Sequence, residues 1–201
     1  MSSYVANLNP ETKKQRTYFF VSIIEKMKYN IDNITPESKF LFFWGHQPNK
    51  DGSISKTCFS QWWLSSFEVE KVTYKTAEHW MMAKKAELFK DDEVLPKILQ
   101  AKSPAEAKKL GREVKNYNET LWLAARFDIV KEGNYHKFNQ NPELKTFLLN
   151  TNNRIIVEAS PVDAIWGIGM AGDHKDVLNP AKWKGLNLLG FALMEVRDEL
   201  R

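Results

Sequence analysis

Cysteine is nearly absent from this chain: Cys58 is the only one. An intrachain disulfide is therefore excluded, and a zinc site built on cysteines lacks its ligands. Cys58 itself reads as a small buried hydrophobe rather than a nucleophile. Long hydrophobic runs are missing too. Lys, Glu or Asn interrupts every apolar stretch well before the roughly 18 residues of a membrane span, and Met1-Ser2-Ser3-Tyr4 opens no signal-peptide pattern. The expectation is a soluble, cytoplasmic protein with no membrane partner. Charge of one sign is concentrated nowhere: 29 basic and 25 acidic residues, net +4, are interleaved. The pairs Lys13-Lys14, Lys84-Lys85 and Lys108-Lys109 fit solvated helix faces better than a nucleic-acid track. The four histidines, His46, His79, His136 and His174, are scattered and form neither H-E-x-x-H nor H-x-x-E-H, so a metal-independent chemistry with no cofactor is expected.

What is present suffices for one domain. A chain of 201 residues, 43% of them hydrophobic, can bury a sizeable core, and there is no internal repeat or low-complexity segment. Start signals mark most elements. Asn9-Pro10-Glu11 opens an amphipathic helix to about Lys28, followed by a polar, turn-rich stretch. Residues 1–33 are therefore read as an N-terminal helical extension and 34–201 as the main domain. Phe40 to Trp44 reads as a strand, Asn49 to Ser53 as a turn, and Phe67 to Tyr74 alternates like one or two short strands. Thr76 caps a helix to about Phe89, Ser103-Pro104-Ala105-Glu106 is a capping box for a helix ending near Gly111, and Asn118 caps a long helix to Phe138. Asn141-Pro142-Glu143 starts another through Leu149. Ile155-Ile156-Val157 suggests a strand, and a last helix covers about Leu188 to Leu200. The class is mainly α, a compact helical domain with a small antiparallel β-sheet.

Two segments carry chemical information. In Asp163-Ala164-Ile165-Trp166-Gly167-Ile168-Gly169-Met170-Ala171-Gly172-Asp173, glycines let the main chain approach a bound group and Trp166 offers a face for stacking. On the predicted helix after Thr76, Glu78 and Lys85 are two turns apart and share a face with Met82 between them. Plainer readings remain open: an ordinary loop anchored by a core Trp, a carboxylate placed for the helix dipole, and a solvated lysine.

Their order along the chain adds more. Phe43-Trp44-Gly45, then Phe59-Ser60-Gln61-Trp62, then Thr76-Ala77-Glu78-His79 with Lys85, then Leu110-Gly111-Arg112, Trp122, Asp163 to Gly169, and Trp183-Lys184-Gly185-Leu186-Asn187-Leu188-Leu189-Gly190 together resemble the NADAR, or YbiA-like, family. The resemblance covers about Phe40 to Leu200. Gln61-Trp62-Trp63 departs from it where an Asn-Phe pair is more usual.

The resemblance implies a pocket for ADP-ribose or a ribose phosphate and an N-glycosidase that cuts ribose from a base or amine. The substrates it implies are ADP-ribose on guanine, with ADP-ribosylated nucleic acid as partner, and ribosylaminopyrimidine intermediates of riboflavin synthesis. Glu78 matches the family glutamate that stabilises an oxocarbenium-like sugar or takes a proton from water, with Asp163 as helper or turn cap. Trp166 and Trp122 match stacking positions, Trp44 with Gly45 and Trp62 line further parts of the pocket, and Lys85 and Arg112 are candidate phosphate ligands. Gly167 and Gly169 would let the backbone approach the ligand. Asn187, before the last helix, stands where free N–H groups can receive an anion, or simply caps that helix. A non-catalytic ADP-ribose or NAD binding module is the alternative, and a structural domain whose tryptophans are all core is a third reading.

Overall fold

The structure is a computed structural model that describes residues 27–201. The helix expected over Asn9 to about Lys28 lies outside them, apart from Met27 and Lys28, which are not helical. Helices are the main regular structure of the described residues. Helix α1 is Ala77–Leu88, α2 Leu95–Gln100, α3 Pro104–Arg112, α4 Glu119–Gln140, α5 Pro142–Leu149 and α6 Leu188–Glu199. Three start where a side-chain oxygen receives an otherwise unpaired backbone N–H: Thr76 accepts from His79, Ser103 from Glu106 and Asn118 from Leu121. Asn141 behaves differently. Its amide donates to the carbonyls of Ser66 and Lys137, so it ties the start of α5 to a neighbouring segment instead of capping it. Helix α2 has no such signal, having no side-chain cap and only Pro96 in its first turn.

The strands form two small pairs. Strands β2, Phe67–Val69, and β3, Val72–Tyr74, make the antiparallel sheet expected. Their turn residues Glu70 and Lys71 are both left-handed, at φ 51° and 67°, the twist a two-residue hairpin needs. The second pair is parallel: β1, Phe40–Phe43, lies beside β4, Ile155–Glu158, in the register Phe40 with Ile155 through Phe43 with Glu158. Parallel pairing follows from connectivity, since most of the helices intervene and return the chain to the same end.

The long helix α4 shows how the core is organised. Its buried residues Arg126, Phe127, Val130, Asn134, Lys137 and Phe138 recur at helical spacing and form one inward face. Helix α6 packs on α4 and on β4, burying Leu189, Leu193 and Val196. In β4, Ile155, Ile156 and Val157 are all buried, each worth about 1.5–3 kcal/mol in apolar area removed from water. Both parallel strands end at one edge, where Trp44–Gly45–His46 leaves β1 and Ala159–Ser160 leaves β4. The carboxyl edge of parallel strands is where open α/β sheets place ligands, and here a cavity opens at that edge. Among the described residues no helix is long and apolar enough to cross a membrane.

Candidate active site

A cavity of about 770 Å³ opens at that edge, within the size range of ligand sites. One wall comes from the segment before α1. The buried ammonium of Lys137 donates to the carbonyls of Cys58, at 2.6 Å, and Ser60, at 2.9 Å, and the Asn134 amide donates to Gln61 Oε1 at 2.7 Å. Helix α4 thus clamps the turn that carries Gln61 and Trp62 to the cavity. Burial pushes the Lys137 ammonium down to about 8 and the Cys58 thiol up to about 12, so Cys58 is the inert core thiol expected. The Trp62 ring is met by the His46 ring, centroids 5.4 Å apart, and by the Lys108 ammonium at 5.7 Å.

Helix α1 supplies the carboxyl. Glu78 stands in its first turn, its own N–H donating to the Gln61 carbonyl at 3.0 Å, and it is only 2% exposed. Its Oε1 is buried with no hydrogen-bond partner in the protein. A helix N-terminus favours the charged carboxylate, but burial outweighs it and pushes Glu78 up to about 7. Lys108, the Trp62 side chain and Arg112 pull the other way, while Asp163 adds to the rise. On the same helix face Lys85 lines the cavity but is not loose. It donates to the Gly111 carbonyl at 2.7 Å and lies over the rings of Tyr117, at 4.7 Å, and Trp122, at 5.7 Å. Burial lowers its ammonium below the usual range. Arg112, the exposed last residue of α3, and Trp44, 57% exposed, stand at the rim beside Gly45.

The glycine loop closes the far side. Asp163 does what a turn carboxylate does: Oδ1 accepts from the N–H groups of Ile165 and Trp166, both at 2.8 Å. It also lines the cavity, as does the half-buried Trp166, which packs against the core as well. Gly167, Gly169 and Asn187, expected at the ligand, do not line it. A Cβ on Gly167 would come 2.7 Å from the Glu158 carbonyl oxygen, and Gly169 has φ +62° with Lys184 against it. These glycines let the loop fold closely onto its own neighbours. Asn187 is fully buried and left-handed, at φ 53°; its Oδ1 accepts from the Glu158 N–H and its Nδ2 donates to the Ile156 carbonyl. It stands at the N-cap of α6, but its side chain makes no cap bond; it fastens α6 to β4 and does not line the cavity.

Sequence reasoning did not single out Glu158, Gln61 or Lys108 as site residues; Gln61 was noted only as a departure within a motif, and Lys108, read as part of a solvated helix face, lines the cavity. Glu158 ends β4 inside the cavity, its Oε2 buried and without a partner. Burial, then Asp163, push it up to about 8 against the pull of Lys108, and Glu78 pushes it further. The signal was a carboxylate ending an otherwise apolar strand. Gln61 is 6% exposed, lines the same cavity as Glu78 and has its Nε2 buried without a partner. His79, next to Glu78, is turned away: Nδ1 meets the Thr76 hydroxyl at 2.8 Å and Nε2 the Ala101 carbonyl at 3.2 Å.

A stability consequence follows from the raised carboxyls. Between their ordinary values and about 7 and 8, the folded chain keeps protons that the unfolded chain has released. Their contribution therefore turns unfavourable as pH rises through that window. Glu78→Gln is expected to melt above the wild type at pH 8, with the gap closing at pH 5. A gap that is equal or reversed at the two pH values would count against the raised carboxyl.

A mainly helical domain with a parallel strand pair, an aromatic cavity and buried carboxyls at its edge defines the class. The NADAR domain family matches the chain over residues 42–201, and the chain belongs to that family. It is 45% identical over 166 residues to N-glycosidase R617 of Acanthamoeba polyphaga mimivirus, covering 80% of this chain and 96% of that protein. It is 33% identical over 144 residues to N-glycosidase Npun_R5314 of Nostoc punctiforme, covering 72% and 85%. The solution NMR structure of the Escherichia coli protein YbiA superposes with a TM-score of 0.64 at 27% identity, covering 83% of this chain and 87% of that one.

Proposed function

We infer that the cavity binds an N-ribosyl compound bearing phosphate and that water cleaves its ribose–nitrogen bond there. The chain is an N-glycosidase, a hydrolase of N-glycosyl bonds, as its relatives are named. The observation that carries the assignment of roles is Glu78, a buried carboxyl with one oxygen unpartnered inside an aromatic cavity. Loss of a nitrogen leaving group builds positive charge on the sugar, and an anion already desolvated at that point is worth far more than one in water. Trp62, Trp122 and Trp166 offer ring faces for a base, while Lys108 and Arg112 supply cations for phosphate. A pure ADP-ribose or NAD binding module gains nothing from a buried carboxylate near phosphate, which speaks for catalysis over binding alone.

Two substrates fit this reading: ADP-ribose attached to guanine, free or in nucleic acid, and a ribosylaminopyrimidine phosphate. Incubation with each, followed by chromatography of the released sugar, tests it. Release from neither substrate would overturn the assignment, and release from one names the substrate. Chelators are expected to leave the rate unchanged, because His79 is engaged elsewhere and, among the described residues, no three His, Cys, Asp or Glu side chains are placed to hold a metal ion. Activity lost to chelator and restored by a divalent ion would reverse that expectation.

A further inference from the structure

We propose that Glu158 is a second catalytic carboxyl, the acid that protonates the departing nitrogen while Glu78 receives the proton of the attacking water. This rests on the N-ribosyl hydrolysis reading above. The two carboxyls reach one cavity from different elements, Glu78 from the first turn of α1 and Glu158 from the end of β4, and each has an oxygen buried with no protein partner. Glu158 is also held firmly. Its N–H is accepted by Asn187 Oδ1 at 3.0 Å, and its carbonyl accepts from the Ile168 N–H at 2.9 Å. The glycine loop folds onto that carbonyl at Gly167, which brings Asp163 to the same wall.

The surroundings divide the roles. Glu78 has Lys108, Arg112, the Trp62 side chain and a helix N-terminus to favour its charged form, against burial and Asp163. Glu158 faces burial, Asp163 and Glu78 with only Lys108 to offset them, and Asn187 contacts its backbone alone. Glu158 is therefore the one that holds a proton when Glu78 has lost its own, the separation of two carboxyls that acid–base catalysis requires. In the reaction the C1′–N bond breaks with its electron pair going to nitrogen, which takes the Glu158 proton. Water bonds to C1′ and gives a proton to Glu78. One water is consumed, free sugar and N–H base are released, and exchange with solvent returns the proton from Glu78 to Glu158.

The test uses whichever N-ribosyl substrate the wild type cleaves. The wild-type kcat profile is expected to fall on its alkaline side with an apparent value near 8, reported for the coupled pair. Glu158→Gln is expected to lower kcat by roughly 10²- to 10⁴-fold, to lose the alkaline limb and to bind ADP-ribose within about tenfold of wild type. Glu158→Asp should keep part of the rate and the limb. A wild-type profile flat through pH 9 overturns the proposal even if the Gln variant does not fold. So does a Glu158→Gln rate within about threefold of wild type. Both outcomes leave the function reading intact. A wild type that releases sugar from no N-ribosyl substrate removes that reading and this role together.

Discussion

Glu78→Gln is expected to lose turnover by at least about 10³-fold while ADP-ribose affinity stays within about tenfold of wild type. The substitution keeps the shape of the side chain and removes only its charge and proton affinity. Ground-state binding draws on the ring faces of Trp62, Trp122 and Trp166 and on the cations at the rim; the Trp62 side chain, Lys108 and Arg112 also act on the Glu78 carboxyl, but the substitution leaves all of them in place. The transition state does depend on it, because positive charge appears on the sugar only as the bond breaks. Single-turnover rates paired with calorimetric binding separate the two effects. A variant that keeps kcat and loses affinity would make Glu78 a binding group, and one that keeps both would remove it from the site.

The same variant is expected to be the more stable protein above neutral pH. Glu78 sits in a first helical turn, where a carboxylate ordinarily stabilises, yet its burial reverses the sign. Glu78, Glu158 and Gln61, whose Oε1, Oε2 and Nε2 are buried and unpartnered, all line the cavity. Buried polar groups left without partners cost stability that a structural role would not justify. Their shared location is a functional signature independent of any resemblance.

How much of this was legible in the sequence depended on range. Thr76, Ser103 and Asn118 announce their helices because a cap is made by atoms three residues apart. Glu78, Lys85 and Met82 share a face because helical geometry fixes it, and all three line the cavity. Asp163 was readable as a turn carboxylate for the same local reason. Glu158 was not, because it becomes a site residue only when β4 lies parallel to β1 with Phe43 opposite, a pairing set by the whole helical layer between them. Gln61 likewise depends on the reach of Asn134 and Lys137 from α4. The glycines were read as places where the backbone approaches a ligand; in the structure the groups against Gly167 are the chain's own Glu158 and Asp163 carbonyls, contacts that local sequence does not reveal.

Gly190→Ala should show that distinction most plainly, with a loss of roughly 3–5 kcal/mol and a melting temperature lower by about 10 °C or more. A Cβ at this position would sit well inside contact distance of the Ile156 carbonyl oxygen, 2.5 Å from Asn187 Nδ2 and 2.6 Å from its Oδ1. None of these can retreat cheaply. Ile156 is the centre of a buried strand, and Asn187 spends its amide on the Ile156 carbonyl and the Glu158 N–H, so the new methyl opens the junction between α6 and β4. Glu158 then loses the bond that fixes its backbone, and turnover should fall with stability. Asn187→Ala opens the same junction from the other side, so the double variant should cost clearly less than the two single losses added together. Melting curves on the three variants decide it. Full additivity would separate Gly190 from the Asn187 clamp, and an unchanged melting temperature in Gly190→Ala would mean that the last helix does not press against β4 in this way.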